Sequence, residues 1–202
     1  MGEGLEPTDE RLVSLSKDGS LDAFNSLVER YQRAVHNLCL RLLGSPQAAE
    51  DATQEAFLSA YRALDRFDGG NVRSWLLRIA ANESKDELRR RKRKDTAGSL
   101  NQIFDTADVP IELPDQAESI EQLIERKELS GQLQAALLAI PFDQRQAIVL
   151  SDIYGYRYDE IAIMTATSVG TIKSRIHRGR ERLRKVLAVE PELFSTSGRL
   201  KS

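Results

Sequence analysis

Between Thr167 and Lys185 the sequence reads TSVGTIKSRIHRGRERLRK, dense in Lys and Arg with Glu181 as its single acid, in a chain of formal net charge -2. Guanidinium and ammonium groups at this density bind anions, and the planar guanidinium pairs with the two acceptors that guanine and phosphate present. A second basic run, KDELRRRKRK from Lys85 to Lys94, follows NVRSWLLRIAANES, in which Trp75, Ile79, Asn82 and Asp86 recur at helical spacing. An aromatic ring and an amide on one face, leading into a cationic end, suit single-stranded nucleic acid. The ring stacks, the amide bonds a base edge, and the cations follow the backbone. The same residues also fit a plainer reading, with Trp75 in a core and the cations on a solvated helix end. A third group, Asp51, Gln54 and Glu55, stands at i, i+3 and i+4, and forms either an ordinary wet face or a docking face for an Arg-bearing partner.

Other chemistries are excluded. One cysteine, Cys39, forbids an internal disulfide and reads as a buried thiol; with two His it leaves no metal cluster. The chain contains no nucleotide-binding loop and no acid–base constellation, so no catalytic residue, metal or cofactor is assigned. His177 has only Glu181 at helical spacing, which solvent exposure explains better than catalysis. The composition, 41% hydrophobic and 30% charged, is that of a soluble globular protein. No apolar run approaches the roughly 20 residues of a membrane span, and no signal peptide is evident, so the expectation is a cytoplasmic protein without membrane insertion.

The elements that must hold these groups are helical nearly throughout. Thr8 caps a short helix that Gly19 ends, and a stripe from Phe24 through Leu27, Tyr31, Val35 and Leu38 to Leu42 makes a longer one, stopped by Gly44. Ser45 and Pro46 open a third helix, in which Ala48, Ala52, Ala56 and Leu64 lie away from Asp51. After the loop DRFDGGN a fourth runs from Val72 to about Arg91. From Asp95 to Glu125 the chain has no Lys or Arg and loses its periodicity, which marks a flexible acidic linker. Helical signal resumes near Ser119, with breaks at Ile140-Pro141, Gly155 and Ala166–Ser168. The C-terminal portion places Ile172, Ile176, Gly179, Leu183, Val186 and Leu187 on an apolar seam. Ser174, His177, Arg178, Glu181 and Lys185 face the other way, with Lys173 at the margin. A short helix bearing Ile161 and Met164, a tight turn, a Ser168 cap and a basic helix together form a helix-turn-helix of the kind that enters a major groove. The fold class expected is all-α, two small helical domains joined by the linker.

Five segments then carry a family resemblance, in order along the chain: DGSLDAFNSLVERYQ, AEDATQEAFLSAYRALDRF, SWLLRIAANESKDELRRRKR, AIPFDQRQAIVLSDIYGYRYDEIA and SVGTIKSRIHRGRERLR. Over about residues 8–188 the chain resembles the extracytoplasmic-function sigma factors of bacterial RNA polymerase, the class with only the second and fourth sigma domains. The resemblance implies sigma domain two over residues 1–94, a linker over 95–125, sigma domain four over 126–190 and a flexible tail over 191–202. It implies that Asp51, Gln54, Glu55 and Phe57 dock on the clamp helices of the beta-prime subunit of core RNA polymerase, with the beta flap as a second polymerase contact. It further implies that Phe67, Asn71, Trp75, Asn82, Lys85 and Arg89 serve the melted minus-10 element, Phe67 and Asn82 around a flipped base. Thr171, Lys173, Ser174, His177 and Arg178 would read the minus-35 duplex. An anti-sigma factor is the further partner expected beside promoter DNA.

The chain departs from the family pattern in several places. The loop FDGGNVRSW is about one residue short. Arg157 replaces a Ser or Thr cap, Ser168 a frequent Pro, and Ala166 a frequent Gly, which predicts a turn held by packing rather than by a left-handed glycine. A rival reading is a one-component helix-turn-helix regulator with a ligand pocket in residues 8–94. A second is a nucleic-acid enzyme or adaptor that its basic helices merely tether.

Overall fold

The computed structural model describes residues 7–97 and 120–189, without the side chains of 94–97, 120–127 and 189. Most of the linker expected over 95–125, and the tail expected over 191–202, lie outside the described residues. The chain divides into two compact units, Met1–Ile103 and Phe104–Ser202. Among the described residues every regular element is helical, as the sequence predicts.

The first unit contains α1 (Asp9–Lys17), α2 (Leu21–Leu43), α3 (Pro46–Ala63) and α4 (Val72–Ala97), with one 3-10 turn at Leu64–Arg66. Each start has the expected chemistry. The hydroxyls of Thr8, Ser20 and Ser45 accept from the amides of Arg11, Ala23 and Ala48, and Pro46 opens α3. Gly19 and Gly44 end α1 and α2 with φ of 94° and 72°. The core is made by Leu27, Val35, Leu38 and Leu42 of α2 against α3 and α4, with Cys39 fully buried as predicted. Toward that core α3 turns Ala48, Ala49, Ala52, Ala56 and Ala60, and α4 turns Ala80 and Ala81, all buried. Small side chains here let the three helices approach closely, so that the leucines of α2 fill the space between them.

In the second unit are α5 (Ile120–Leu138), α6 (Phe142–Ile148), a π turn (Val149–Ile153), α7 (Tyr158–Met164) and α8 (Val169–Val189). The breaks fall where Pro141, Gly155 and Ala166–Ser168 place them. The π turn was not legible as periodicity; there the amide of Tyr154 reaches back five residues to the carbonyl of Val149, 3.1 Å. Leu137, Ile140, Leu150, Ile161, Ile172 and Ile176 are its fully buried centre. Arg145 is also buried. Its guanidinium donates to the carbonyls of Leu138 (3.0 Å) and Ile140 (3.1 Å) at the C-terminal end of α5. Burial lowers its pKa to about 10, so it remains a cation at neutral pH, where it suits the negative end of a helix.

Candidate nucleic-acid interface

The helix-turn-helix is built by a sharp exit from α7. The Thr167 amide donates to the Ala162 carbonyl (2.9 Å) and the Ala166 amide to that of Ile163 (3.3 Å), the paired bonds of a Schellman turn. Its left-handed position belongs to Ala166, φ 50°. No left-handed glycine holds this turn, as expected, but the left-handed conformation itself is kept by an alanine, at a cost of about 1 kcal/mol for an L side chain. The Thr165 hydroxyl helps by donating to the Ile161 carbonyl, 2.7 Å. At the other end of α7, Arg157 cannot accept a hydrogen bond, and the Glu160 carboxylate instead accepts from the Arg157 amide at 2.7 Å.

Ser168 caps α8 as predicted, its hydroxyl accepting from the Thr171 amide at 3.1 Å. Ile172 and Ile176 are buried, and Gly179 lies so close to α6 that an added Cβ would stand 2.6 Å from Ile148 Cδ1. Beyond Gly179 the seam opens, and Leu183, Val186 and Leu187 are only half-buried. Lys173, His177 and Arg178 are exposed together on the far side. Two other expected readers are partly engaged: the Thr171 hydroxyl lies 2.9 Å from that of Ser168, and half-buried Ser174 donates to the Thr171 carbonyl at 2.9 Å. Not every cation of α8 faces outward. Arg175 pairs with Asp143 of α6 at 3.1 Å, and Arg180 grips Asp152 of the π turn through two bonds, 3.0 and 2.6 Å. These pairs, missed in the sequence, set the direction of the helix rather than its reading face.

In the first unit, Phe67 and Trp75 meet with ring centroids 4.8 Å apart. Phe67 is buried, so its ring supports half-exposed Trp75 instead of standing free. Asn82 is exposed two turns along the same side of α4, roughly 10 Å from Trp75 at 1.5 Å per residue. Half-buried Ile79 lies between them. Asn71 has a second duty: its side-chain oxygen accepts from the Ser74 amide at 2.8 Å and caps α4, which commits its acceptor. Lys85 is half-buried and Arg89 exposed; Arg89 pairs with Asp86 at 2.9 Å. The buried Glu87 carboxylate takes both Arg90 (3.0 Å) and Arg91 (2.8 Å). The basic run is therefore less cationic than its letters suggest.

On α3, Asp51, Gln54 and Glu55 are exposed on one side, whereas Phe57 is buried in the core. Phe57 thus does not share their face. The apolar residue that does is Leu58, 49% exposed, with Tyr61 (43%) a turn further on and edge-to-face with Phe24. At 100° per residue Leu58 falls between Gln54 and Glu55, so the helical wheel already contained this signal. Among the described residues, no three His, Cys, Asp or Glu side chains gather as metal ligands. No described helix is long and apolar enough to cross a membrane.

Comparison with known proteins agrees with this geometry. Residues 27–94 match the Sigma-70 region 2 family and residues 130–183 the Sigma-70, region 4 family. The chain is 37% identical to the ECF RNA polymerase sigma factor SigE of Mycolicibacterium smegmatis, over 91% of this chain and 71% of that protein. It is 35% identical to the ECF RNA polymerase sigma factor SigW of Bacillus subtilis, over 91% and 98% respectively. Among solved structures it resembles the sigma factor RpoE of Bartonella quintana, determined in complex with the anti-sigma factor NepR. The TM-score is 0.65 at 28% identity, covering 84% of this chain and 99% of that one. The chain belongs to the extracytoplasmic-function sigma factors of RNA polymerase. It is an alternative sigma factor that directs promoter-specific transcription initiation.

Proposed function

We propose that the two units grip one cytoplasmic promoter complex at two elements in two physical states. The first unit, with the minus-10 groups of residues 1–94, takes melted DNA: a base leaves the stack, packs by the Phe67–Trp75 pair and is read by the Asn82 amide. The second, over residues 126–190, lays α8 into minus-35 duplex through Lys173, His177 and Arg178, with Thr171 and Ser174 at the helix start. Core RNA polymerase holds both, the beta-prime clamp helices on Asp51, Gln54, Glu55 and Leu58, the beta flap on the second unit. Neither unit then needs high affinity alone, because docking on one body raises the effective concentration of each. An anti-sigma factor, like the one bound to the Bartonella relative, would compete for these surfaces. No catalytic step is assigned to the chain.

The observation that carries this reading is the placement of exposed Asn82 on the α4 side that holds the Phe67–Trp75 pair. Reconstitution with core polymerase and a cognate promoter tests it. Asn82→Ala is expected to slow promoter opening by roughly tenfold, the worth of one lost base contact, while leaving duplex minus-35 binding intact. Equal loss of both, or no dependence of transcription on the polymerase–sigma pair, contradicts it.

A further inference from the structure

We infer that Lys17, in the last turn of α1, is a positioning residue for the minus-10 loop. The inference deepens the base-capture reading above and rests on it. The Lys17 ammonium donates to the Phe67 carbonyl at 2.7 Å, a bond between residues 50 apart in sequence. Phe67 is where the chain leaves the 3-10 turn and enters Asp68-Gly69-Gly70-Asn71. That loop gains little from side-chain packing at its glycines. Gly69 and Gly70 both have left-handed φ, 93° and 92°, and a Cβ added to either meets nothing within 4 Å. Between α1 and the loop runs a groove of about 470 Å³, lined by Val13, Lys17, Phe67, Gly69, Gly70 and Val72 among others. Glycine leaves the backbone free to take many conformations, so the residues at the ends of the loop set its shape. One end is the Asn71 cap on α4; the other is Phe67, held through its ring by Trp75 and through its carbonyl by Lys17.

The helix that delivers Lys17 is itself tied down. Leu12 and Val13 are buried, and Asp9 at its start receives Arg30 and the Tyr31 hydroxyl of α2. α1 lies before the segment that matches Sigma-70 region 2, which begins at residue 27. It acts as a strut from α2 to the loop. With Lys17 in place the Phe67–Trp75 pair is set before DNA arrives. Without it the loop must be ordered at the moment of base capture, and that ordering slows opening.

The test uses full-length chain in holoenzyme, with 2-aminopurine in the minus-10 element to report unstacking. Lys17→Met keeps the aliphatic stem on α1 but removes the donor; Lys17→Arg restores one. Lys17→Met is expected to slow opening roughly tenfold, the worth of a charge-assisted hydrogen bond, with affinity for core polymerase and for minus-35 duplex unchanged and most of the rate recovered by Lys17→Arg. The salt dependence of promoter binding is expected to stay as in wild type. A slope smaller by about 0.7–0.9 would make Lys17 a phosphate contact and overturn the proposal. So would loss of core binding in parallel with opening, which marks a merely structural role. Asn82→Ala is measured alongside: Lys17→Met at the wild-type rate with Asn82→Ala slow overturns the positioning role alone. Both at the wild-type rate overturn the base-capture reading beneath it.

Discussion

The two units hold their reading groups by different means. In the second, α8 is fixed from Ile172 to Arg180. Ile172 and Ile176 are buried, Gly179 touches α6, and Arg175 and Arg180 are bonded to acids of α6 and the π turn. What it presents is a rigid cationic rod, which suits a duplex whose groove shape is already set. In the first unit the segment nearest the candidate base site is a glycine loop beside a groove, secured at its ends by Lys17 and the Asn71 cap. That suits a ligand whose shape is created during the reaction, an unstacked base. The contrast lies less in charge than in where each unit stores rigidity: throughout the reader in one, around it in the other.

The largest effect expected from breaking this contrast is at Gly179. A Cβ there would lie 2.6 Å from Ile148 Cδ1 and 3.3 Å from Gln144 Cβ, so Gly179→Leu forces α8 off α6. The second unit should lose about 3 kcal/mol in urea unfolding followed by circular dichroism. Trp75, the one tryptophan of the chain, reports the first unit by fluorescence, and its transition should not move. An equal shift in both signals would mean that the units do not unfold independently.

A smaller effect, of opposite sign, is expected from Ala166→Gly. It relieves the left-handed alanine in the Schellman turn and should stabilise the second unit by about 1 kcal/mol, read as a higher urea midpoint at unchanged slope. Destabilisation would show that the Ala166 methyl contributes packing that outweighs its strain.

The smallest effect is an alkaline pH dependence of opposite sign in the two units. Burial, reinforced by its bond to Asp9, pushes the Tyr31 hydroxyl up to about 12. Its pKa is higher folded than unfolded, so the stability it contributes is complete below about pH 10 and is lost as pH rises toward 12. The stability difference between wild type and Tyr31→Phe should therefore be flat through neutral pH and shrink between pH 10 and 12. Arg145 works in the other direction. Burial lowers its pKa to about 10, so deprotonation relieves a desolvation penalty and favours the folded second unit over the same alkaline range. The two transitions should diverge as pH rises.

Among the described residues most helix starts, caps and breaks were legible because they depend on neighbours a few residues apart. Thr8, Ser45-Pro46, Gly44 and Ser168 each do what their residue type allows in isolation. The seam of Ile172, Ile176 and Gly179 was legible for the same reason. The polar face of α3 was legible in outline, whereas Phe57, which the resemblance grouped with it, is core and Leu58 is the exposed apolar residue beside Glu55. The helix's 100° step puts Leu58, not Phe57, on the side of Gln54 and Glu55.

Local sequence determined that this chain is two bundles of capped helices, one ending in a basic helix-turn-helix, because periodicity and capping are short-range effects. Tertiary structure decided which of the many cations and aromatics remain available. Arg175 and Arg180 look like Arg178 in sequence, yet they are turned to acids 32 and 28 residues away, while Arg178 is left exposed. Phe67 looks like a free loop aromatic until Trp75 covers it, and Lys17 is an ordinary helix-end lysine until the fold brings the Phe67 carbonyl to it. The physical reason is common to all three. A side chain's type sets which bonds it can make, but only packing between distant segments sets which of them are already made.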